Sequence, residues 1–302
     1  MSLLALKSDL WLACTHMREA LTARCLDRLP EVVFPFGFQW CEGPPPELVF
    51  YDCSRAIDVQ RLLALGVVSL TQADHCIGNC VWLAPGVQVV GLTLRFERSH
   101  CHVVVGPGRG LRGSIVLRAQ GSLVLLGAST QPAVTLDLEV MGEGNAFVLA
   151  QHATTWGSHF TLGGEGRLMA LGEHAMLAMQ TAVLNHDLHP VFFLSAPAQV
   201  INPPRDQLIF PHVWLARQVQ VLKADIGYGA IVGTLSLVNR DVLPCTLVAG
   251  IPARVLRTGV SFDRALNQCQ PETLERLKQY EAAFSGLFPD TPPALPNPES
   301  GS

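Results

Sequence analysis

A chain of 302 residues that is 49% hydrophobic and only 15% charged can bury a core that needs neither disulfides nor metals. Its formal charge of −4 leaves no basic stripe to release counterions, which excludes nucleic acid as the main partner. Nine cysteines without a paired framework read as reduced thiols in a cytoplasmic protein, and no uncharged apolar run is long enough for a membrane span.

In chain order, MSLLALKSDLWLAC carries Lys7 and Asp9 inside its apolar run, which suits an amphipathic helix better than a leader. Leu6, Leu10, Cys14, Met17, Leu21 and Leu26 recur near a 3.6 period and predict a helix within 1–29, with Ser8 or Asp9 as caps if it starts late. Prolines at Pro30, Pro35 and Pro44 to Pro46 then break regular structure. ELVFYDC predicts a strand and SRAIDVQRLLALG a short helix ending at Gly66. Residues 1–74 form a mixed extension without a chemical motif.

From residue 75 short apolar runs alternate with Gly, Asn, Ser and His. Leu215, Val221, Ile226, Val232 and Val238 are spaced six, five, six and six apart, and Ala216, Gly227 and Gly233 follow three of them. This is the spacing of a parallel β-helix: each hexad makes one side of a triangular coil, its aliphatic residue points inward, and the small residue turns the corner. At about 18 residues per coil, some 180 residues make on the order of ten coils. The hexads of 95–140 are ragged, and a β-sandwich is the alternative for that stretch. The β-helix is expected over 75–258. A helix over 259–288 should carry Leu274, Leu277, Tyr280 and Phe284 on one face, to cap the stack's open end or pack on a neighbour. The Pro-rich tail 289–302 is expected to be disordered.

Ile226 to Arg257, ending in Val248-Ala249-Gly250-Ile251-Pro252-Ala253-Arg254, resembles the C-terminal signature of the hexapeptide-repeat acyltransferases. Upstream, His186-Asp187-Leu188-His189-Pro190, Ile201-Asn202-Pro203-Pro204-Arg205-Asp206 and His212-Val213-Trp214 look like the subgroup that O-acetylates capsule, exopolysaccharide or lipopolysaccharide sugars. The resemblance implies a left-handed parallel β-helix, a homotrimer, acetyl-CoA as co-substrate without a metal, and a carbohydrate acceptor. Phe210-Pro211, Leu235, Phe193 and the short unit Val221 to Asp225 depart from the family pattern.

On this resemblance His189 is the general base: imidazole has the pKa to take a proton from a sugar hydroxyl near neutral pH and pass it to the leaving thiolate. Asp187, two residues before it, would fix its tautomer. Trp214 would lay a flat face on a sugar or on the pantetheine arm. His186, Asn202 and His212 are expected at the acceptor. Small turn residues Ala216 and Gly233, with Ser236 nearby, would offer backbone amides to the donor. Lys223, Arg240, Arg254 and Arg257 would grip its phosphates.

Three alternatives stand beside this reading. One is an N-acetyltransferase acting on an amino sugar or amino acid. Another is a solenoid that binds sugar without catalysis. The third is a zinc enzyme resembling γ-type carbonic anhydrases, drawing on His159, His174, His186, His189 and His212.

Overall fold

The computed structural model describes residues 2–23, 47–108, 110–129 and 134–288. The Pro-rich segment, Leu26 and the tail 289–302 lie outside the described residues. The fold is the expected left-handed parallel β-helix, with helices at both ends of the chain. Its first side stacks Cys80–Leu83, His102–Val105, Leu123–Leu126, Ala146–Leu149, Leu168–Leu171 and Gln207–Ile209 in parallel. The downstream second side stacks Met176–Leu177, Trp214–Leu215 and Ile231–Val232, and the third Ala182–Leu184, Gln220–Leu222 and Leu237–Val238.

Coil length is not uniform. Cys80 stands over His102, His102 over Leu123, Leu123 over Ala146 and Ala146 over Leu168, steps of 22, 21, 23 and 22 residues. Ile209 stands over Ile226 and Ile226 over Val242, steps of only 17 and 16. The expected 18-residue coil therefore belongs to the downstream part alone. Upstream, the second and third sides form one long strand, as in Gln88–Phe96 and Thr154–Leu162, bent where the ladder slips. Glycine makes such bends possible: Gly113 has φ +111°, and a Cβ there would lie 2.0 Å from the Leu136 carbonyl oxygen.

The hexad residues Leu215, Val221, Ile226, Val232 and Val238 are 0–2% exposed and lie in the core inside the coils. Each such side chain contributes about 1.5–3 kcal/mol through removal from water. The small residues after them answer to the next coil. A Cβ at Gly227 would meet the Pro244 nitrogen at 2.5 Å, and one at Gly233 the Ala249 side chain at 2.8 Å.

A second core lies outside the first side. Helix α1 (Leu3–Ala23) buries Leu6, Leu10, Cys14, Met17 and Leu21 against Trp82, Val104, Leu125, Val148, Ala170 and Leu208. Its cap is Ser2, whose hydroxyl accepts the Ala5 N–H at 3.1 Å, while Ser8 donates back to the Leu4 carbonyl. Helix α2 (Ala56–Ala64) and the strand Val49–Asp52 fall where expected. The strand lies antiparallel on Cys80–Leu83 and covers the upstream edge of the first side. The first coiled strand is Val67–Gln72, parallel to Gln88–Phe96.

Helix α3 (Pro271–Phe284) does not cap the open end. Tyr280 and Phe284 pack beside Phe210 and Tyr228 on the same flank that α1 occupies, and Leu274 stays 52% exposed. The downstream edge is covered instead by Ala253–Thr258, antiparallel to Thr246–Gly250. Phe210, one of the departures from the family pattern, meets Phe284 edge-on at 5.2 Å. Among the described residues, Cys14, Cys53, Cys76, Cys101, Cys245 and Cys269 are free thiols. Among the described residues no helix is long and apolar enough to cross a membrane.

Candidate active site

The corner between the third side and the first is built on asparagine and aspartate. Asn79, Asn145, Asp206 and Asp225 each accept a backbone N–H of a neighbouring coil, at Cys101, Arg167, Leu168 and Leu208. These short side chains satisfy amides that the turning backbone would otherwise leave bare. Asn185, fully buried, goes further. Its Oδ1 accepts the Gly163 N–H at 2.8 Å, and its Nδ2 donates to the carbonyls of Gly163 and Arg205. The Arg205 N–H returns to the Asn185 carbonyl. A loop thus leaves and re-enters the stack at one closed stem.

His186, Asp187, His189 and Asn202 all lie on this loop and line one cavity of about 380 Å³, together with Gly163, Gly164 and Pro204. Asn202, expected at the acceptor, clamps this loop. Its Oδ1 accepts the Val191 N–H at 2.6 Å, and its Nδ2 donates to Asp187 Oδ2 at 2.8 Å and to the His189 carbonyl at 3.0 Å. The His189 ring is exposed and makes no hydrogen bond among the described residues.

Asp187 does not hold that ring. Its Oδ2 accepts Lys223 Nζ at 2.5 Å as well as Asn202. Partial burial pushes the Asp187 carboxyl up, but the hydrogen bonds from Lys223 and Asn202 outweigh it and hold the group below the usual carboxylate range. Lys223, expected on donor phosphates, is therefore engaged inside the chain. His186 is 6% exposed; its Nδ1 accepts the Leu188 N–H at 2.9 Å, and burial lowers its pKa.

Trp214 and His212 are elsewhere. They lie where the first side turns into the second, whereas the loop and Lys223 lie where the third returns to the first. One chain does not bring them together. His212 is 1% exposed, stacked on Phe262 with ring centroids 4.4 Å apart, and its Nε2 lies 2.8 Å from the Phe262 carbonyl oxygen. Trp214 is half-buried against the same Phe262. Arg264 completes this clasp by donating to the carbonyls of His152, His174 and Ala175.

The amides expected for the donor are already used. The Ala216 N–H bonds the Val232 carbonyl, the Gly233 N–H the Val248 carbonyl, and Ser236 Oγ joins the Gly233 carbonyl to the Gly250 N–H. Arg240, Arg254 and Arg257 are exposed, with Arg240 on the Lys223 corner and the other two on the last strand. Four stacked cations on successive coils are thus not what the fold presents. Nor do the five histidines of the zinc alternative converge. His159 pairs with Thr161 and His174 stacks on His152, and among the described residues no three His, Cys, Asp or Glu side chains could hold a metal.

Asn185, the Gly163-Gly164 floor and the Phe262–Arg264 clasp carry no motif. The glycine pair stands 22 residues before Asn185, one coil back, and coil spacing was the signal that could have linked them.

No protein-family model matches the chain. It is 33% identical over 93 residues to a polysialic acid O-acetyltransferase of Neisseria meningitidis, covering 29% of this chain and 42% of that protein. It is 30% identical over 98 residues to the putative lipopolysaccharide biosynthesis O-acetyl transferase WbbJ of Escherichia coli (strain K12), covering 30% of this chain and 50% of that one. The chain thus spans half or less of the curated relatives it matches. Among solved structures, the polysialic acid O-acetyltransferase OatWY superposes with a TM-score of 0.57 at 19% identity, over 70% of this chain and 98% of that one, which is a likeness of fold. The chain is thus similar over part of its length to proteins named as polysialic acid and lipopolysaccharide O-acetyltransferases, and it shares the fold of one polysialic acid O-acetyltransferase.

Proposed function

We propose that the chain is an acetyl-CoA-dependent O-acetyltransferase acting on a sugar hydroxyl of a capsule, exopolysaccharide or lipopolysaccharide glycan, with His189 as general base. The observation that carries this reading is the exposed, unbonded imidazole of His189 on a cavity of about 380 Å³. Its backbone is pinned by Asn202, and that clamp is pinned in turn through Asp187 to Lys223. A base held at its backbone and open at its ring can take a hydroxyl proton and return it to a leaving thiolate. Asp187 supports the loop in this reading, not the tautomer. The exposed guanidiniums of Arg240, Arg254 and Arg257 are available to the donor's phosphates.

A homotrimer belongs to the same proposal. Helices α1 and α3 cover the outer flank of the first side, which leaves two sides for two neighbours. A cyclic trimer needs two different patches on each protomer. In such an assembly Trp214 of one protomer could face the His189 loop of the next.

The test is release of thiol from acetyl-CoA with oligosialic acid or lipopolysaccharide as acceptor. His189→Ala should lower turnover by a factor of about 10²–10⁴. A loss below about tenfold removes the assignment.

A further inference from the structure

The cavity holds two imidazoles, and the hydrogen bonds around them give the pair different chemistry. His186 Nδ1 accepts the Leu188 N–H at 2.9 Å, so its lone pair is engaged and the ring proton of the neutral form sits on Nε2. That Nε2–H is buried and has no partner. The ring rests on Gly163, where an added Cβ would lie 2.7 Å from Nε2, and Gly163 lines the same cavity. Burial lowers the pKa of the ring, which favours its neutral form.

An orphaned buried donor costs the free protein stability, and such groups are retained where a ligand supplies the partner. The other side-chain amide donor of the cavity, Asn202, has given both protons to Asp187 and the His189 carbonyl. A general base must arrive unprotonated, so the His189 nitrogen that takes the sugar proton cannot also donate at the start of the reaction, and the other ring N–H points away from that nitrogen. The buried side-chain donor of the cavity left without a partner is His186. It cannot exchange roles with His189 either, because a base at its Nε2 would need a proton on Nδ1, facing the Leu188 N–H.

We infer that His186 is a second catalytic residue of the proposed reaction, its Nε2–H donating to the acetyl carbonyl oxygen as negative charge develops there. This rests on the reading above. The sugar oxygen forms a bond to the carbonyl carbon while its proton passes to His189, and the carbonyl π electrons move onto oxygen opposite His186. Collapse restores the carbonyl, breaks the carbon–sulfur bond, and the thiolate recovers the proton from His189. A donor placed for the oxyanion acts on the transition state more than on bound substrate.

The experiment compares wild type with His186→Phe, which keeps a ring without the donor, and His186→Gln, which returns an N–H near the Nε2 position, using acetyl-CoA and oligosialic acid. His186→Phe should lower kcat by about 10²–10³ with KM for both substrates little changed, and His186→Gln should recover at least about tenfold of that loss. Gly163→Ala, which displaces the ring, should lower kcat in the same way if the phenylalanine variant fails to fold. Nitrogen-15 NMR of the free protein at pH 7 should show His186 protonated on Nε2 and bare on Nδ1. A proton on Nδ1, a loss confined to KM, or a kcat within a few-fold of wild type overturns the inference. If His189→Ala is inactive while His186→Phe is not, only the inference falls; if wild type releases no thiol from acetyl-CoA, the proposed function falls as well.

Discussion

Lys7 of α1 places its ammonium 2.6 Å from the carboxylate of Asp225, 218 residues further along the chain. Asp225 is 1% exposed and also accepts Arg205 at 2.6 Å and the Leu208 N–H at 2.7 Å. The amino-terminal helix is thereby fastened to the coil beside the candidate site. Asp225→Ala strands a buried ammonium and a backbone amide, and should cost about 3–5 kcal/mol of unfolding free energy in urea titrations. A loss below about 1 kcal/mol would show that the pair is not a fastening.

Asn202 ties three points of the His189 loop to one another without touching the His189 ring. Asn202→Ala should lower turnover by about ten- to a hundredfold, since small misplacement of a catalytic group is costly. Global stability should fall by only about 1 kcal/mol, because the loop is exposed. Paired rate and urea measurements separate the two effects, and a rate that falls only in proportion to the folded fraction would refute the clamp.

Acid should destabilise the fold before its carboxylates titrate. Burial lowers the pKa of His102 from 6.5 to about 4 and that of His174 to about 3. Both protonate in the unfolded chain near pH 6.5 but stay neutral when folded. Their contribution is therefore complete above pH 6.5 and is lost as pH falls toward 4, by up to about 1.4 kcal/mol per pH unit for each. His102→Gln should remove one share of that slope from a stability profile between pH 7 and 4.5. An unchanged slope would contradict the burial of His102 beneath α1.

Arg264 holds the segment leading into α3 by donating to three carbonyls of successive coils and to Thr154 Oγ1. Arg264→Ala should cost about 2–4 kcal/mol. It should also open residues 259–288 to limited proteolysis, with cleavage mapped by mass spectrometry. A resistant segment would mean that Phe262 and the α3 aromatics suffice.

The downstream coils were legible because their second and third sides are separate short strands, so Leu215, Val221, Ile226, Val232 and Val238 repeat at hexad spacing. Upstream, one strand bends around a glycine across both sides, and the repeat lengthens to a period no short window reveals. The helices were readable from Leu6 to Leu21 and from Tyr280 to Phe284. Their seat was not, since which flank of the triangle takes a helix depends on outward residues such as Ala170 and Leu208. Phe210 looked like a defect in the family pattern and is the socket for Phe284. At the site, motif order placed His186, Asp187, His189 and Asn202 on one cavity, but it joined Trp214 to them across two corners of the triangle. It also assigned Asp187 to His189, when Lys223, a full turn later, claims the carboxylate.

The turn from third side to first spans Gly163 to Arg167 in one coil, Asn185 to Asp206 in the next, and Lys223 to Asp225 in the one after. The strands on either side stay in register throughout. A rung that tolerates such different lengths at one bend isolates that bend from the rest of the column. Segments of foreign length and composition should be exchangeable there while the column stands, so the lining of the candidate site can drift without rebuilding the scaffold.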